Sequence, residues 1–271
     1  MFKFNNNPII FSAQSSVLYG YVGNNTANFV YQHHKIEAIT VNTVTLAAHP
    51  GYGNFFVQKL PDCELENILN DFLKLKLESN IFAIQTGYLG NSSQVKKLQN
   101  FIKKILINNN KTVYFLDPVF GDNNKIYVNE EIIREIKKYL LPLANFIKPN
   151  KFELEYLTKT KIKTYKEAIE ASHKLLKDQC EYVFVSGVQQ FKSEIADIII
   201  SKNDYKLFKY KKLKSGVSGS GDFLGALFLV YLSKGFSPFN SAKNASKITH
   251  QILQFAKDNR YMPLHNLIKK S

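Results

Sequence analysis

Short apolar runs rich in Val, Ile and Phe alternate along this chain with stretches whose apolar residues recur at the helical period. A parallel strand buried on both faces reads as a continuous apolar run, so the alternation points to an α/β fold with a mostly parallel sheet and helices on both faces. Strands are expected over residues 9–14, 38–43, 81–86, 112–117, 146–148 and 182–186. Helices are expected over 24–34, 63–77, 92–108, 130–141 and 165–177. Residues 193–213 break the rhythm. Two short runs, 194–201 and 206–211, flank a polar Lys202-Asn203-Asp204 turn, which predicts an antiparallel hairpin. Helices over 222–232 and 241–257 follow, the first apolar nearly all round and therefore buried against the sheet. No Pro/Gly/Ser-rich linker and no repeat interrupts the 271 residues, so 1–271 is read as a single domain.

Several function classes are excluded early. The longest apolar stretch, 223–232, has ten residues, against the roughly 20 a membrane-crossing helix needs. The first residues lack signal-peptide architecture, and Cys63 and Cys180 stand far apart without Cys/His neighbours, so a cytoplasmic protein with free thiols is expected. The net charge of +14 comes from 36 Lys+Arg against 22 Asp+Glu, but Arg134 and Arg260 are the only arginines. Scattered lysines make solvated faces, whereas phosphate readers cluster arginine with aromatics, so no nucleic-acid partner is expected.

In open α/β sheets ligands gather beyond the carboxyl ends of the strands, so the polar residues that follow each apolar run carry the most information. Gly219-Ser220-Gly221-Asp222 directly precedes the buried helix. Glycines let backbone N–H groups approach a ligand, and a helix N-terminus favours an anion. The plainer reading is a loop followed by a first-turn aspartate. A Rossmann fingerprint fails because Gly225 lies four residues after Gly221, and the absence of any Gly-Lys pair excludes a Walker loop. Asp117-Pro118-Val119-Phe120-Gly121 places a carboxylate at a strand end. Pro149-Asn150-Lys151-Phe152-Glu153 does the same, although Asn-x-x-Glu is also a helix capping box. Together these segments suit a magnesium nucleotide. His33, His34, His173, His250 and His265 form no ligand cluster; His49, in the His49-Pro50-Gly51-Tyr52-Gly53 loop, is the one histidine expected to reach an active site.

The ordered set of motifs resembles the ribokinase superfamily and, more specifically, the pyridoxal kinases. The blocks are Gln14-Ser15-Ser16-Val17-Leu18-Tyr19-Gly20-Tyr21-Val22-Gly23-Asn24, Val41-Asn42-Thr43-Val44, the His49 loop, Thr86-Gly87-Tyr88-Leu89-Gly90 and the three segments above. The resemblance implies a ribokinase-like three-layer sandwich whose antiparallel hairpin lies near the nucleotide side. It implies transfer of the ATP γ-phosphoryl group to the 5′-hydroxymethyl oxygen of pyridoxal, and of pyridoxine or pyridoxamine, in vitamin B6 salvage.

By that similarity Asp222 is the base, with backbone N–H groups of Gly219, Ser220 and Gly221 holding the phosphoryl oxygens. Asp117 and Glu153 order Mg²⁺ through water, Asn150 supports the same network, and Ser186 lies near the nucleotide phosphates. Ser15, Val17, Thr43, His49 and Tyr88 line the pyridine pocket. A K⁺ ion near the anion loop and a homodimer are implied in the same way. Adenine contacts around Lys211 to Lys214 are not expected to follow longer relatives, because the hairpin region is short. The rival readings are a kinase for hydroxymethylpyrimidine or a sugar, and a non-catalytic B6-binding protein. Hydroxymethylpyrimidine kinases usually carry Cys where Asp222 stands, which weighs against the first.

Overall fold

A computed structural model describes residues 8–213, 217–256 and 261–268. In chain order the elements are β1 (Ile9–Tyr19), α1 (Gly23–His33), β2 (Glu37–Ala48), β3 (Val57–Lys59), α2 (Asp62–Leu73), β4 (Ile81–Thr86), α3 (Ser92–Asn108) and β5 (Val113–Leu116). A small hairpin, β6 (Gly121–Asp122) and β7 (Lys125–Ile126), precedes α4 (Glu130–Glu135), β8 (Phe146–Ile147), α5 (Lys151–Thr158), α6 (Tyr165–His173) and β9 (Tyr182–Val188). The chain continues through β10 (Glu194–Ile200), β11 (Tyr205–Lys211), α7 (Ser220–Ser233), α8 (Pro238–Leu253) and α9 (His265–Ile268).

Nine strands form one sheet in the order β11-β10-β9-β8-β5-β4-β1-β2-β3. The strands from β9 to β2 in that order pair in parallel, while β3, β10 and β11 pair antiparallel at the two edges. Each sheet face is covered, as parallel strands require. One core cluster joins Phe11, Ile84 and Leu116 of the sheet to Leu98, Phe101 and Ile102 of α3 and Leu154 of α5. The other joins Ile10, Phe115 and Phe184 to Val30 of α1, Phe228 of α7 and Ala245 of α8. The three layers expected from the family resemblance are present.

α7 shows why an all-round apolar helix must be internal. Every residue from Phe223 to Val230 is buried, so the helix is enclosed by the sheet, α1 and α8. At about 1.5–3 kcal/mol for each fully buried large apolar side chain, this segment holds the α7 layer on the sheet.

Several boundaries differ from the sequence expectation for identifiable reasons. β1 and β2 continue to Tyr19 and Ala48, because beyond the polar positions their pairing goes on and β2 gains the short partner β3. The expected helix over 63–77 ends at Leu73, and that over 165–177 ends at His173, each passing into a turn. The expected helix over 130–141 tightens and loosens: α4 gives way to a π-turn over Ile136–Leu140 and then a 3₁₀ turn at Leu141–Leu143, where Pro142 removes a donor. α8 begins at Pro238, capped by the Ser237 side chain, and the expected end at Lys257 lies outside the described residues. α5 was legible only as a capping box; both of its reciprocal hydrogen bonds are made.

Candidate active site

The ladder of parallel strands carries the motif residues to one edge. Gly87 N–H bonds Ala13, Asp117 N–H bonds Thr86, Lys148 N–H bonds Leu116 and Ser186 N–H bonds Pro149, each through a carbonyl oxygen. The strand-end residues of β1, β4, β5, β8 and β9 therefore line up side by side. The N-terminus of α7 opens onto this row, and Lys148 reaches it from below.

Asn91, Asn150, Thr164 and Ser237 accept first-turn N–H groups of α3, α5, α6 and α8, whereas α1, α2 and α4 go without a side-chain cap. α7 has no side-chain cap. Its first-turn N–H groups, from Ser220 and Gly221 onward, have no intrahelical acceptor and keep the partial positive charge of a helix start. Gly219, the residue before the helix, is left-handed at φ 82°, and a Cβ there would meet the Tyr21 carbonyl oxygen 2.0 Å away. Only glycine fits that position. Asp222 lies in the same turn, partly accessible, with Oδ2 accepting from Gly23 N–H at 2.7 Å. The carboxylate is thus held between the starts of α1 and α7. Burial pushes it above the usual aspartate value, while the Gly23 N–H, Lys148 and His49 pull the other way.

Beneath this turn lies a buried ion pair. Lys148 Nζ stands 2.7 Å from Asp117 Oδ2, with both side chains almost wholly enclosed. Burial pushes the Asp117 carboxyl up to about 6, against the pull of Lys148. Burial also opposes the Lys148 charge, but Asp117, Glu153 and Asp222 outweigh it and hold the ammonium above its ordinary value. Glu153 is fully engaged by backbone: Oε1 accepts from Phe120 N–H at 3.0 Å and Oε2 from Asn150 N–H at 2.9 Å. Burial, with the neighbouring Asp117 charge, pushes it up to about 8. Asn150 accepts from Glu153 N–H and donates to the Gly121 carbonyl, which ties α5 to the β6–β7 hairpin. The turn between Asp117 and that hairpin is strained, since Val119 sits at φ 35°, a region a β-branched residue rarely enters.

On the β1–β2 side the pairing register slips: Gln14 faces Asn42 and Ser16 faces Thr45, so Thr43 and Val44 together oppose Ser15. β2 therefore carries a bulge at Thr43 and Val44, opposite Ser15, where the pocket is expected. Thr43 donates its hydroxyl to the Tyr88 carbonyl at 2.6 Å. Val17 is buried with Val22, Val44 and Leu46, and Tyr88 packs on this cluster. Tyr127, from the segment after the hairpin, faces Tyr88 with ring centroids 6.4 Å apart and planes 27° apart. His49 Nδ1 accepts from Gly51 N–H at 3.0 Å and lies 3.3 Å from the Ser218 hydroxyl, beside the α7 loop. Burial lowers its pKa, opposed by Asp222.

All the residues expected at the site thus lie along one edge, although Asn150 and Glu153 spend their side-chain hydrogen bonds on the fold. Lys211 is at the end of β11, while Lys214 is outside the described residues. Two residues were missed. Lys148 carried a signal, a lysine between an apolar strand run and Pro-Asn; Tyr127 carried none beyond its place in a short polar stretch. As for cations, no cluster of three or more His, Cys, Asp or Glu able to hold a metal occurs among the described residues. The donor set suits an ion carried mainly by phosphates and water: Lys148 takes Asp117 Oδ2 and leaves Oδ1, and the charges of Asp117, Glu153 and Asp222 all act on one ammonium. No helix among the described residues is long and apolar enough to cross a membrane.

Comparison with known proteins identifies relatives of this chain in sequence and in fold. The family model described as phosphomethylpyrimidine kinase matches residues 30–265. A pyridoxal kinase of Dictyostelium discoideum is 32% identical over 234 residues, covering 82% of this chain and 77% of its own. The crystal structure of the pyridoxal kinase of Entamoeba histolytica superposes with a TM-score of 0.91 at 26% identity, covering 97% of this chain and 95% of that one. Plasmodium falciparum PdxK, solved with AMP-PNP and PL, shares the fold with a TM-score of 0.86 at 24% identity, covering 97% and 94%.

Proposed function

The chain belongs to the pyridoxal kinase family, and on that premise we propose that its strand-end edge moves the γ-phosphoryl group of ATP to the 5′-hydroxymethyl oxygen of pyridoxal, with pyridoxine and pyridoxamine as further acceptors. One observation carries the reading: Asp222 is anchored by Gly23 N–H beside the uncapped first turn of α7. The acceptor hydroxyl and the γ-phosphate meet there. As the acceptor oxygen bonds to phosphorus and the bridging P–O bond breaks, ADP leaves and the hydroxyl proton passes to Asp222. In a loose transition state that proton leaves late, so a carboxylate near its ordinary basicity is adequate, and a raised pKa helps. The N–H groups of Gly219, Ser220 and Gly221 face the oxygens that gain charge.

Asp117, with Oδ1 unclaimed by Lys148, would hold Mg²⁺ through water, while Glu153 and Asn150 keep the Asp117 turn and hairpin in place. Mg²⁺ bound with the nucleotide supplies neutralisation of the β- and γ-phosphate oxygens. Ser186, hydrogen-bonded through its N–H to Pro149, stands on the nucleotide side of the row. Ser15, Thr43 and His49 offer polar contacts to the pyridine substituents; Val17 and Tyr88 offer wall and ring face. The implied K⁺ would compete with the Lys148 ammonium beside Asp117. The reading takes 1–271 as one catalytic unit, cytoplasmic and homodimeric, the last tested by light scattering.

The deciding assay follows pyridoxal 5′-phosphate formed from pyridoxal, ATP and Mg²⁺, run in parallel with pyridoxine, pyridoxamine and hydroxymethylpyrimidine. The description of the matched family model makes the pyrimidine the rival acceptor. Phosphorylation of a B6 vitamer at the highest kcat/KM supports the reading. Faster phosphorylation of the pyrimidine, or no phosphorylated vitamer at all, overturns it.

A further inference from the structure

Lysine is seldom fully buried, and replacing a buried ion pair by apolar side chains is often neutral or stabilising, so fold stability gives little reason for a lysine at position 148. Its location does. A Cβ on Gly221 would lie 3.4 Å from Lys148 Nζ, and a Cβ on Gly225 would lie 3.3 Å from Lys148 Cε. These two glycines are one turn apart on α7 and leave a channel through which the side chain runs up to the anion-binding turn. Asp117 is the hydrogen-bond acceptor of the ammonium among the described residues, taking one of three N–H donors. Asp222 lies close enough for the two charges to act on each other.

Resting on the phosphoryl-transfer reading above, we propose that Lys148 is a tethered cation of the site: its ammonium fixes Asp117 and donates to an oxygen of the migrating phosphoryl group, filling the place a diffusible monovalent cation would otherwise take. The bare charge travels with the chain and needs no ion uptake. A fixed donor beside developing phosphoryl charge is pre-oriented, and it spends no reorganisation at the moment of transfer.

The wild-type protein tests this without mutation. Its rate with pyridoxal, ATP and Mg²⁺ should be the same in tetramethylammonium as in K⁺, and the rise in melting temperature on adding Mg·ATP should also be the same in both. Lys148→Ala should lose about 100-fold in kcat, the scale seen when one fixed donor to a developing oxyanion is removed. Added K⁺ or ammonium should restore part of that loss, and its Mg·ATP-induced thermal shift should appear only when one of them is present. A wild type that needs K⁺, or an alanine variant as fast as wild type, overturns the proposal. If the alanine variant fails to fold, Lys148→Gln, which keeps a donor to Asp117 without the charge, takes its place under the same readouts. A wild type that binds Mg·ATP equally in both salts yet phosphorylates no vitamer would leave the tethered cation standing and sink the pyridoxal reading instead.

Discussion

On the α7 side of the strand-end edge, Asp117, Lys148, Glu153 and Asp222 are ionisable, and each is tied to a backbone amide or to another member. On the β2 side, Ser15, Thr43 and Tyr88 are neutral and His49 is held toward its neutral form by burial. The first group is arranged before any ligand arrives, as electrostatic stabilisation of a charged transition state requires. The second offers hydroxyls, an imidazole and aromatic faces, which on the proposed reading would orient a flat, weakly polar ring. On the proposed reading the division assigns rate to one side and affinity to the other, and variants on each side can break it.

The largest effect is expected at Asp222. Asp222→Asn keeps the shape and the Gly23 contact but loses the proton acceptor, and kcat should fall by about 10²–10⁴-fold. Calorimetry should show Mg·ATP affinity retained. Equal turnover in the variant would remove Asp222 from the chemistry. Next come the two loop glycines, which should separate. Gly219→Ala forces a side chain into the Tyr21 carbonyl at a left-handed φ, and should lower both activity and melting temperature. Gly221→Ala meets only the Lys148 ammonium at ordinary contact distance, so its melting temperature should stay close to wild type. Matching losses of melting temperature in the pair would show that steric room is not what distinguishes them.

On the affinity side, Tyr88→Ala should raise KM for pyridoxal by about 2- to 12-fold, the worth of an aromatic contact at roughly 0.5–1.5 kcal/mol, with kcat retained. A collapse of kcat instead would merge the two halves. The smallest effect belongs to His49. A histidine whose folded pKa lies below its ordinary 6.5 contributes stability above that value and loses it as pH falls through the lowered one. Wild type should therefore lose slightly more melting temperature than His49→Gln between neutral pH and mild acid, a difference kept small by the half-exposed ring. A larger loss in the glutamine variant would reverse the sign of the burial effect.

Much of this was legible because periodicity reports what faces a core. The continuous apolar runs placed β1, β4, β5, β8 and β9 at their strand positions, and the all-round apolar helix revealed α7 as internal. The strand-end rule then brought Ser15, Thr43, Tyr88, Asp117, Asn150 and Ser186 to a single edge. What escaped the sequence depends on partners remote along the chain. β3 is three residues with no pattern of its own, and exists because β2 runs on past the pocket to pair with it. Lys148 reads as a solvated strand terminus until Asp117 and the Gly221–Gly225 channel enclose it. Asn150 and Glu153 satisfied two readings at once, and their hydrogen bonds show the capping role fully occupied.

The extra residue in β2 has a further consequence for how this pocket can vary. Past the slip at Thr43, alternation restarts with opposite parity, so Leu46 rather than its neighbours turns inward to join Val17 and Val44. Insertion or loss of one residue between positions 40 and 46 would therefore exchange the lining of the proposed vitamin side, hydroxyl for aliphatic, while leaving β5, β8 and the α7 turn where they are. Divergence of acceptor choice among related chains could proceed by such single-residue steps, with the phosphate machinery inherited unchanged.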